Sequence, residues 1–441
     1  MSKIASFESL ECLMSQNLKD LSVISFVNSP CALLSQANYK RENIFFLDKK
    51  SESTPDLQEV WKDEKNIINE TNLTDILRKN NITDVIIDTV SSPEIENWAE
   101  KNNLNIIAPK WKFQKEIENK IFFDEFLTTN NISSPSSWIL RTETDVENVE
   151  RRLLIVQVPE SNGSSGTFLV KEPQEIKMLM KEHDLTYPLL CREYIDHANT
   201  LGVSVLIGKK NMIFSALRTQ AYFLNDKGES KYFGIQWTKT SSFDESILEK
   251  INQNLLKIGQ NFQAMGFRGI ANFDFMVRRG EIYFIECNPR LGGATPQISA
   301  REELLHGLTF VEEFAKCCRG EELSVNRPFI PKSNYEGFNL DFDVLFHERE
   351  GTSVKMPRPG FYREITKGFS FISENRHEFE DEKTIFIYNF LPREIKVDRD
   401  IFMGFAMTHN PLLNLEENTY SFSERGKDFL KKIKTLFLLS G

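Results

Sequence analysis

Apolar residues change texture along this chain. In the first ~110 residues they come in short continuous runs, at 21–27, 43–47, 84–88 and 105–108. Such runs read as strands buried on both faces of a parallel sheet, and polar, helix-compatible segments lie between several of them. A helix opens at Trp111, and a loop containing Pro135 follows before Arg141. A strand at 152–158, a Gly/Ser loop at 159–166 and a strand at 167–171 predict a β-hairpin, with further strands at 189–195 and 203–207. Apolar positions 247, 248, 251, 255, 258, 262 and 265 fall on one face of a 3.6-residue period, so they predict a helix, and Gly266 is placed to cap it. Beyond Pro331 the texture turns to aromatic strands and acidic loops, ending in a helix over 424–436.

The most informative pattern is GIANFDFMVRRGEIYFIECNPRLGG at 269–293, two alternating strands around Arg278-Arg279-Gly280. A three-residue loop with Gly280 left-handed in a bulge is a common hairpin closure. It sets Met276 opposite Ile282, Asp274 opposite Phe284 and Asn272 opposite Glu286. Asp274, Glu286 and Asn288 then share one face, with the two acids as diagonal neighbours roughly 7–8 Å apart at the backbone. Two carboxylates converging in this way call for a cation, and hard oxygen ligands suit Mg2+. A solvated polar face carrying two unrelated acids explains the spacing alone about equally well. Arg290 tilts the balance, because its fork suits phosphate oxygens, and Gly292-Gly293 lets backbone approach closely.

Composition narrows the reading. With 441 residues, two to four domains are expected at roughly 100–200 residues each. The net charge of −10 argues against nucleic acid as a partner of the whole surface. The first of the 21 glycines is Gly163, so the N-terminal α/β region has no glycine-rich loop for a dinucleotide. Six cysteines without a CxxC pair fit a reduced, cytoplasmic chain. No signal-peptide pattern and no apolar stretch of about 18 residues stands in the sequence, so no membrane partner is expected. The six histidines show no metal-ligand spacing.

The run Asp274-Phe275 … Glu286-Cys287-Asn288-Pro289-Arg290 resembles the ATP-grasp superfamily of ligases, whose motif is Asp, then Glu-x-Asn-x-Arg ending the next strand. Other segments are similar in the expected order. Asn119-Lys120 resembles the entry helix whose Lys reaches the nucleotide phosphates. Gly163, Ser164, Ser165, Gly166 and Thr167 resemble the flap over the triphosphate. Cys191, Arg192, Glu193, Tyr194 and Ile195 resemble the hinge strand that meets adenine through backbone groups, and Asn199 falls near a ribose-binding position. The family's flap lysine is missing: Gln157 or Val158 stands there, with Lys171 as another cation donor.

The resemblance covers about residues 110–300. It implies an α/β and α+β chain in three parts. The first is an open parallel-sheet domain over 1–110. The second is an ATP-grasp domain over 111–330, with a flap subdomain at 111–195 and a metal subdomain at 196–330. The third is an α+β extension over 331–441, expected to cover the cleft and help choose the amine. It also implies ATP with Mg2+, two ions and Mn2+ as a substitute, held by Asp274, Glu286 and Asn288. The γ-phosphate would pass to a carboxylate, and an amine would attack the acyl-phosphate held by Arg290. An amino acid or small peptide would supply these groups, and homodimers are frequent in the superfamily. Arg218 and Arg268 are candidates for a substrate carboxylate, each equally readable as a surface ion pair. A bicarbonate-activating ATP-grasp carboxylase and a nucleotide-binding scaffold without catalysis are the alternatives.

Overall fold

The computed structural model describes strands within residues 4–68, residues 75 and 83–87, and the chain from 91 to 440. The second stretch excludes 162–165, 197, 225–229, 293, 296–297, 299–301, 303–305, 309, 335, 343–344, 346–352, 359, 374–381, 389–393, 397–403 and 417–418. The N-terminal strands are β1 (Ile4–Phe7), β2 (Val23–Phe26), β3 (Ile44–Leu47), β4 (Ile67–Ile68), β5 (Asp84–Ile87) and β6 (Asn105–Ile107). They pair in parallel in the order β4-β3-β2-β1-β5-β6. The four apolar runs are all strands here. β1 and β4 join them, one interrupted by Ala5-Ser6 and the other two residues long, so neither stands out as an apolar run. Helix α1 (Pro93–Lys101) starts where the Ser92 side chain accepts from the Ile95 amide.

The helix expected from Trp111 is two helices, α2 (Trp111–Glu118) and α3 (Lys120–Thr129). Asn119 divides them. Its backbone is extended, and its side-chain oxygen accepts from the amides of Ile121 and Phe122 at 3.0 and 3.2 Å, capping α3. An antiparallel sheet follows, built of β7 (Ser137–Leu140), β8 (Leu154–Gln157), β9 (Thr167–Val170) and β10 (Leu189–Glu193) in the order β7-β10-β8-β9. Helix α4 (Glu175–Glu182) lies in the same unit, and its Ile176 joins the core of Leu154, Val156, Val170 and Leu189.

The largest sheet holds β11 (Asn199–Ile207), β12 (Met212–Phe214), β13 (Arg218–Leu224), β14 (Ser230–Trp237), β15 (Gly269–Arg278), β16 (Glu281–Asn288) and β17 (Gly337–Asp341). Its order is β16-β15-β11-β13-β14-β17, and it continues through Phe405–Thr408, Thr384–Tyr388, Gly360–Ile365 and Gly368–Ser373. The pairing of β14 with β17 therefore carries one sheet across residue 330. Helix α5 (Glu245–Met265) matches the periodic pattern and ends at left-handed Gly266 (φ +90°). Its Ile251, Leu255, Ile258 and Phe262 pack with Phe273, Phe275 and Phe284 of the sheet. Helix α6 (Phe310–Arg319) buries Phe310 and Phe314 in a second core with Leu206 and Ile270. The C-terminal helix α7 (Glu424–Lys434) packs Phe429 and Ile433 against Phe369 and Leu340. Buried Gln236 accepts from the amides of Leu412 and Leu413 at 3.0 and 2.8 Å, a further tie to the last third. No helix of the described residues is long and apolar enough to cross a membrane. Cys191, Cys287, Cys317 and Cys318 are unpaired thiols, and Cys12 and Cys31 lie outside the described residues.

Candidate active site

The site is built on the β15–β16 hairpin, whose closure differs from the expected one. Arg278 pairs with Glu281, so the loop is the two residues Arg279 and Gly280, both left-handed at φ +50° and +79°. That is the backbone of a two-residue turn matching the twist of its strands. Val277 pairs with Ile282, Met276 with Tyr283 and Phe275 with Phe284, not Asp274 with Phe284. An irregularity then leaves Ile285 as an extra residue on β16, and beyond it Asp274 pairs with Glu286 and Asn272 with Asn288. The two acids are thus directly opposite, not diagonal. The bulge explains the outcome: without it, Asp274 and Glu286 would fall out of line, while Phe275 and Phe284 enter the core on the other face.

Burial, followed by the neighbouring Glu286 carboxylate, raises the Asp274 carboxyl to about 8. The Asn288 amide donates to Glu286 Oε1 at 3.1 Å. Lys120 Nζ lies 3.9 Å from Glu286 Oε2 and donates to the carbonyl and hydroxyl of Ser161 at 2.7 and 3.2 Å. Its side chain is buried, and that burial lowers the ammonium's pKa. Arg290 Nε donates to Glu118 Oε1 at 2.9 Å, and its Nη2 to Asn288 Oδ1 at 3.3 Å. One cluster therefore holds Lys120, Glu286, Asn288, Arg290 and Glu118.

Arg192 is more than part of a hinge backbone. Its main chain pairs with Ser137 on one side and Ile155 on the other, and its buried side chain points into the site. The guanidinium donates to Asp124 Oδ1 from Nε and Nη2 at 3.1 and 2.9 Å, and to the Ile285 carbonyl at 2.8 Å. Gln157, also buried, lies 3.4 Å from Arg192 Nη1 and 3.4 Å from Thr167 Oγ1. The amides of Glu193 and Tyr194 are taken by the carbonyls of Ser136 and Leu153, at 2.8 and 3.0 Å. The Ile195 amide has no hydrogen-bond acceptor among the described residues. Glu193 also meets Arg152 at 2.9 Å. Asn199 begins β11, paired with Val277. Gly166 is left-handed at φ +70°, whereas Gly163, Ser164 and Ser165 lie outside the described residues.

Arg218 and Arg268 part company. Gly202 of β11 pairs with Arg218 on one side and Asp274 on the other, so Arg218, Gly202, Asp274 and Glu286 form a row across four strands. A Cβ on Gly202 would stand 3.0 Å from the Arg218 guanidinium carbon; the missing side chain is what lets Arg218 lie over β11. Arg218 is 3% exposed, and its Nη1 donates to Ser204 Oγ at 3.2 Å. Arg268 instead donates to the carbonyls of Gln263 and Phe267 at 3.1 and 2.5 Å, covering the end of α5. It is not brought to the acids.

Several residues of the site carry no expectation from the sequence, namely Glu118, Asp124, Ser204 and Gln220, and Asn272 enters there only through the register of the hairpin. Asp124 carried a readable signal, standing four residues after Lys120 on one helix face. Gln220 carried another, two residues after Arg218 on the same strand face. The Gln220 amide donates to Asp274 Oδ1, and Ser204 Oγ to Asn272 Oδ1.

The donor set fits Mg2+. Among the described residues no group of three or more His, Cys, Asp or Glu side chains forms a protein-only metal cage. Two facing carboxylates and one amide remain, which is what Mg2+ uses when phosphate and water complete its shell. Burial first, and then the facing Glu286, raise the Asp274 carboxyl even with Arg218 nearby, so a further cation between the two acids would be favoured.

Residues 117–294 match the model of a family described as the ATP-grasp domain. Among curated proteins, a D-alanine–D-alanine ligase of Fusobacterium nucleatum is 26% identical over 216 residues, covering 49% of this chain and 72% of that ligase. A carbamoyl phosphate synthase large chain of Thermotoga petrophila is 24% identical over 212 residues, 47% of this chain but only 19% of the synthase. This chain thus spans a small part of the synthase's length. In fold, the whole chain resembles the biotin carboxylase domain of Hydrogenobacter thermophilus 2-oxoglutarate carboxylase, with TM-score 0.66, 11% identity and 91% of that chain covered. It also resembles phosphoribosylamine–glycine ligase of Thermotoga maritima, with TM-score 0.59, 12% identity and 98% of that chain covered. These last two likenesses are of fold alone.

Proposed function

Since residues 117–294 are an ATP-grasp domain, we propose that this protein is an ATP-dependent carboxylate–amine ligase that makes an amide or peptide bond through an acyl-phosphate. Asp274 facing Glu286 directly, with Asn288 bonded to Glu286, is the observation that carries this reading. Those three side chains would hold Mg2+, as two ions with Mn2+ as a substitute, and the metal supplies charge neutralisation at the phosphates.

The chain's own residues do the rest. Lys120 directs its ammonium toward the phosphates from the start of α3, within 3.9 Å of Glu286. Gly166 and Thr167 would cover the triphosphate through backbone N–H groups, and Gly163, Ser164 and Ser165, outside the described residues, are assigned the same part from the resemblance alone. Gln157 stands where a flap lysine would be, with Arg192 behind it supplying positive charge. Glu193, Tyr194 and Ile195 form the adenine edge, where the Ile195 amide is the donor for the base, and Asn199 meets the ribose. Arg218, beside Asp274, receives the substrate carboxylate. That carboxylate oxygen attacks the γ-phosphorus as ADP departs. The amine then attacks the acyl carbon, loses a proton, and phosphate leaves with its oxygen, while Arg290 steadies the acyl-phosphate. The parallel sheet of 1–110 and the segment 331–441 flank the ATP-grasp unit of 111–330.

The test is to incubate purified protein with Mg2+-ATP and pooled amino acids or dipeptides, following nucleotide and phosphate. ADP and phosphate, appearing only with a carboxylate and an amine present, are expected. AMP and pyrophosphate would overturn the acyl-phosphate route. A second reading, activation of bicarbonate, draws on the whole-chain likeness to a biotin carboxylase domain whose structure holds MgADP and bicarbonate. ADP release that needs bicarbonate alone would favour it.

A further inference from the structure

Two side chains of β13 approach the carboxylate of Asp274. Arg218 does so along the row through Gly202, and Gln220 does so diagonally from two residues further along β13. Gln220 is 8% exposed and both ends of its amide are used. Its Nε2 donates to Asp274 Oδ1, and its Oε1 accepts from the Tyr222 hydroxyl at 2.8 Å. Tyr222 is itself steadied by Tyr232, ring centroids 5.4 Å apart. Because a hydroxyl proton points at Oε1, the amide can present only its NH2 group to Asp274.

The acceptor Oδ1 is therefore partly spent on Gln220, and Asp274 offers a cation chiefly its other oxygen. Mg2+ requires near-octahedral geometry with one oxygen from each carboxylate, whereas Ca2+ accepts six to eight oxygens and two-oxygen carboxylates readily. We propose that Gln220, oriented by Tyr222, is a positioning residue that holds Asp274 as a one-oxygen ligand and so makes the site discriminate Mg2+ from Ca2+. This inference rests on the metal reading of Asp274 and Glu286 above.

The experiment uses the full chain with saturating ADP, titrated calorimetrically with Mg2+ and separately with Ca2+. Wild type is expected to bind Mg2+ more tightly than Ca2+. Gln220→Leu should lose about 10- to 100-fold in Mg2+ affinity, the usual cost of removing a partner of a metal ligand, while Ca2+ affinity holds or rises. Tyr222→Phe, which keeps the ring, should give a smaller loss in the same direction, and it decides the matter if Gln220→Leu does not fold. Unchanged Mg2+ affinity in the folded variants, or equal weakening for both ions, would overturn the inference while leaving the metal site standing. No Mg2+ binding by wild type with ADP would overturn both.

Discussion

The Ile285 carbonyl, at the residue bulged out of the β15–β16 hairpin, accepts from the Arg192 guanidinium at 2.8 Å. The flap sheet is thereby tied to the hairpin where the ladder opens and a carbonyl lacks its strand partner. The same guanidinium holds Asp124 of α3, with both side chains at most 3% exposed. Removing one member strands the other's buried charge, so Arg192→Ala and Asp124→Ala should each cost about 3–5 kcal/mol in urea unfolding. The double variant should cost less than the sum. Full additivity would show that the two do not act as a pair.

Glu286→Gln separates stability from activity. In EDTA at pH 8 it removes both the like charge opposite Asp274 and a charge partner of buried Lys120, two opposed effects, so the thermal midpoint should move by no more than about 1–2 °C. Turnover of ATP should fall below detection while circular dichroism stays native. Activity that persists in the folded variant would remove the metal assignment.

The pH response follows from the same pair. Burial and Glu286 hold the Asp274 carboxyl at about 8 in the metal-free fold, above its usual value of 3.8. Between those values the native state binds more protons than the unfolded chain, so this group's contribution to stability declines as pH rises toward 8. Mg2+ takes the proton's place. The gain in thermal midpoint on adding Mg2+ should accordingly be larger at pH 8 than at pH 5, and a gain independent of pH would contradict the assignment.

Arg218 and Arg268 offer a matched comparison. Arg218→Ala should lower the kcat/KM for the carboxylate substrate by about 100-fold or more, the cost of losing a buried charged hydrogen bond. Arg268→Ala should keep activity and lose about 0.5–1 kcal/mol of stability, the scale of a cation at a helix C-terminus. Steady-state kinetics beside chemical denaturation reads both. An inactive, stable Arg268→Ala would reverse the two roles.

The acids were legible because alternation alone puts Asp274 and Glu286 on one face, and the Asn288-Pro289-Arg290 tail marks the strand's end. Their exact partnering was not, because turn length and bulge are set by Arg279's positive φ and by core packing of Phe275 and Phe284. The one-residue slip at the turn and the extra residue at Ile285 add to a shift of two, which keeps the acids on the expected face but moves the partner of Asp274 from Phe284 to Glu286, a change invisible to a pattern of period two. The sequence gives no sign of the Arg192 side chain's role, because its partners, Asp124 and Ile285, lie 68 and 93 residues away. Arg218 and Arg268 looked alike in the chain for a similar reason. Only strand order shows that one faces the acids across a glycine while the other ends a helix.

The continuity of the great sheet through β14 and β17 has a consequence for any shortened chain. Ending the protein near residue 331 would strip β17 from β14 and leave the hydrogen-bonding groups of Gly234, Ile235, Gln236 and Trp237 without their strand. Gln236 Oε1 would lose the donor amides of Leu412 and Leu413 as well. A bare sheet border of this kind is a template for other chains, and such a fragment is expected to self-associate rather than report on amine choice. The last third of the molecule thus works as a selvedge, keeping the sheet from fraying into its neighbours.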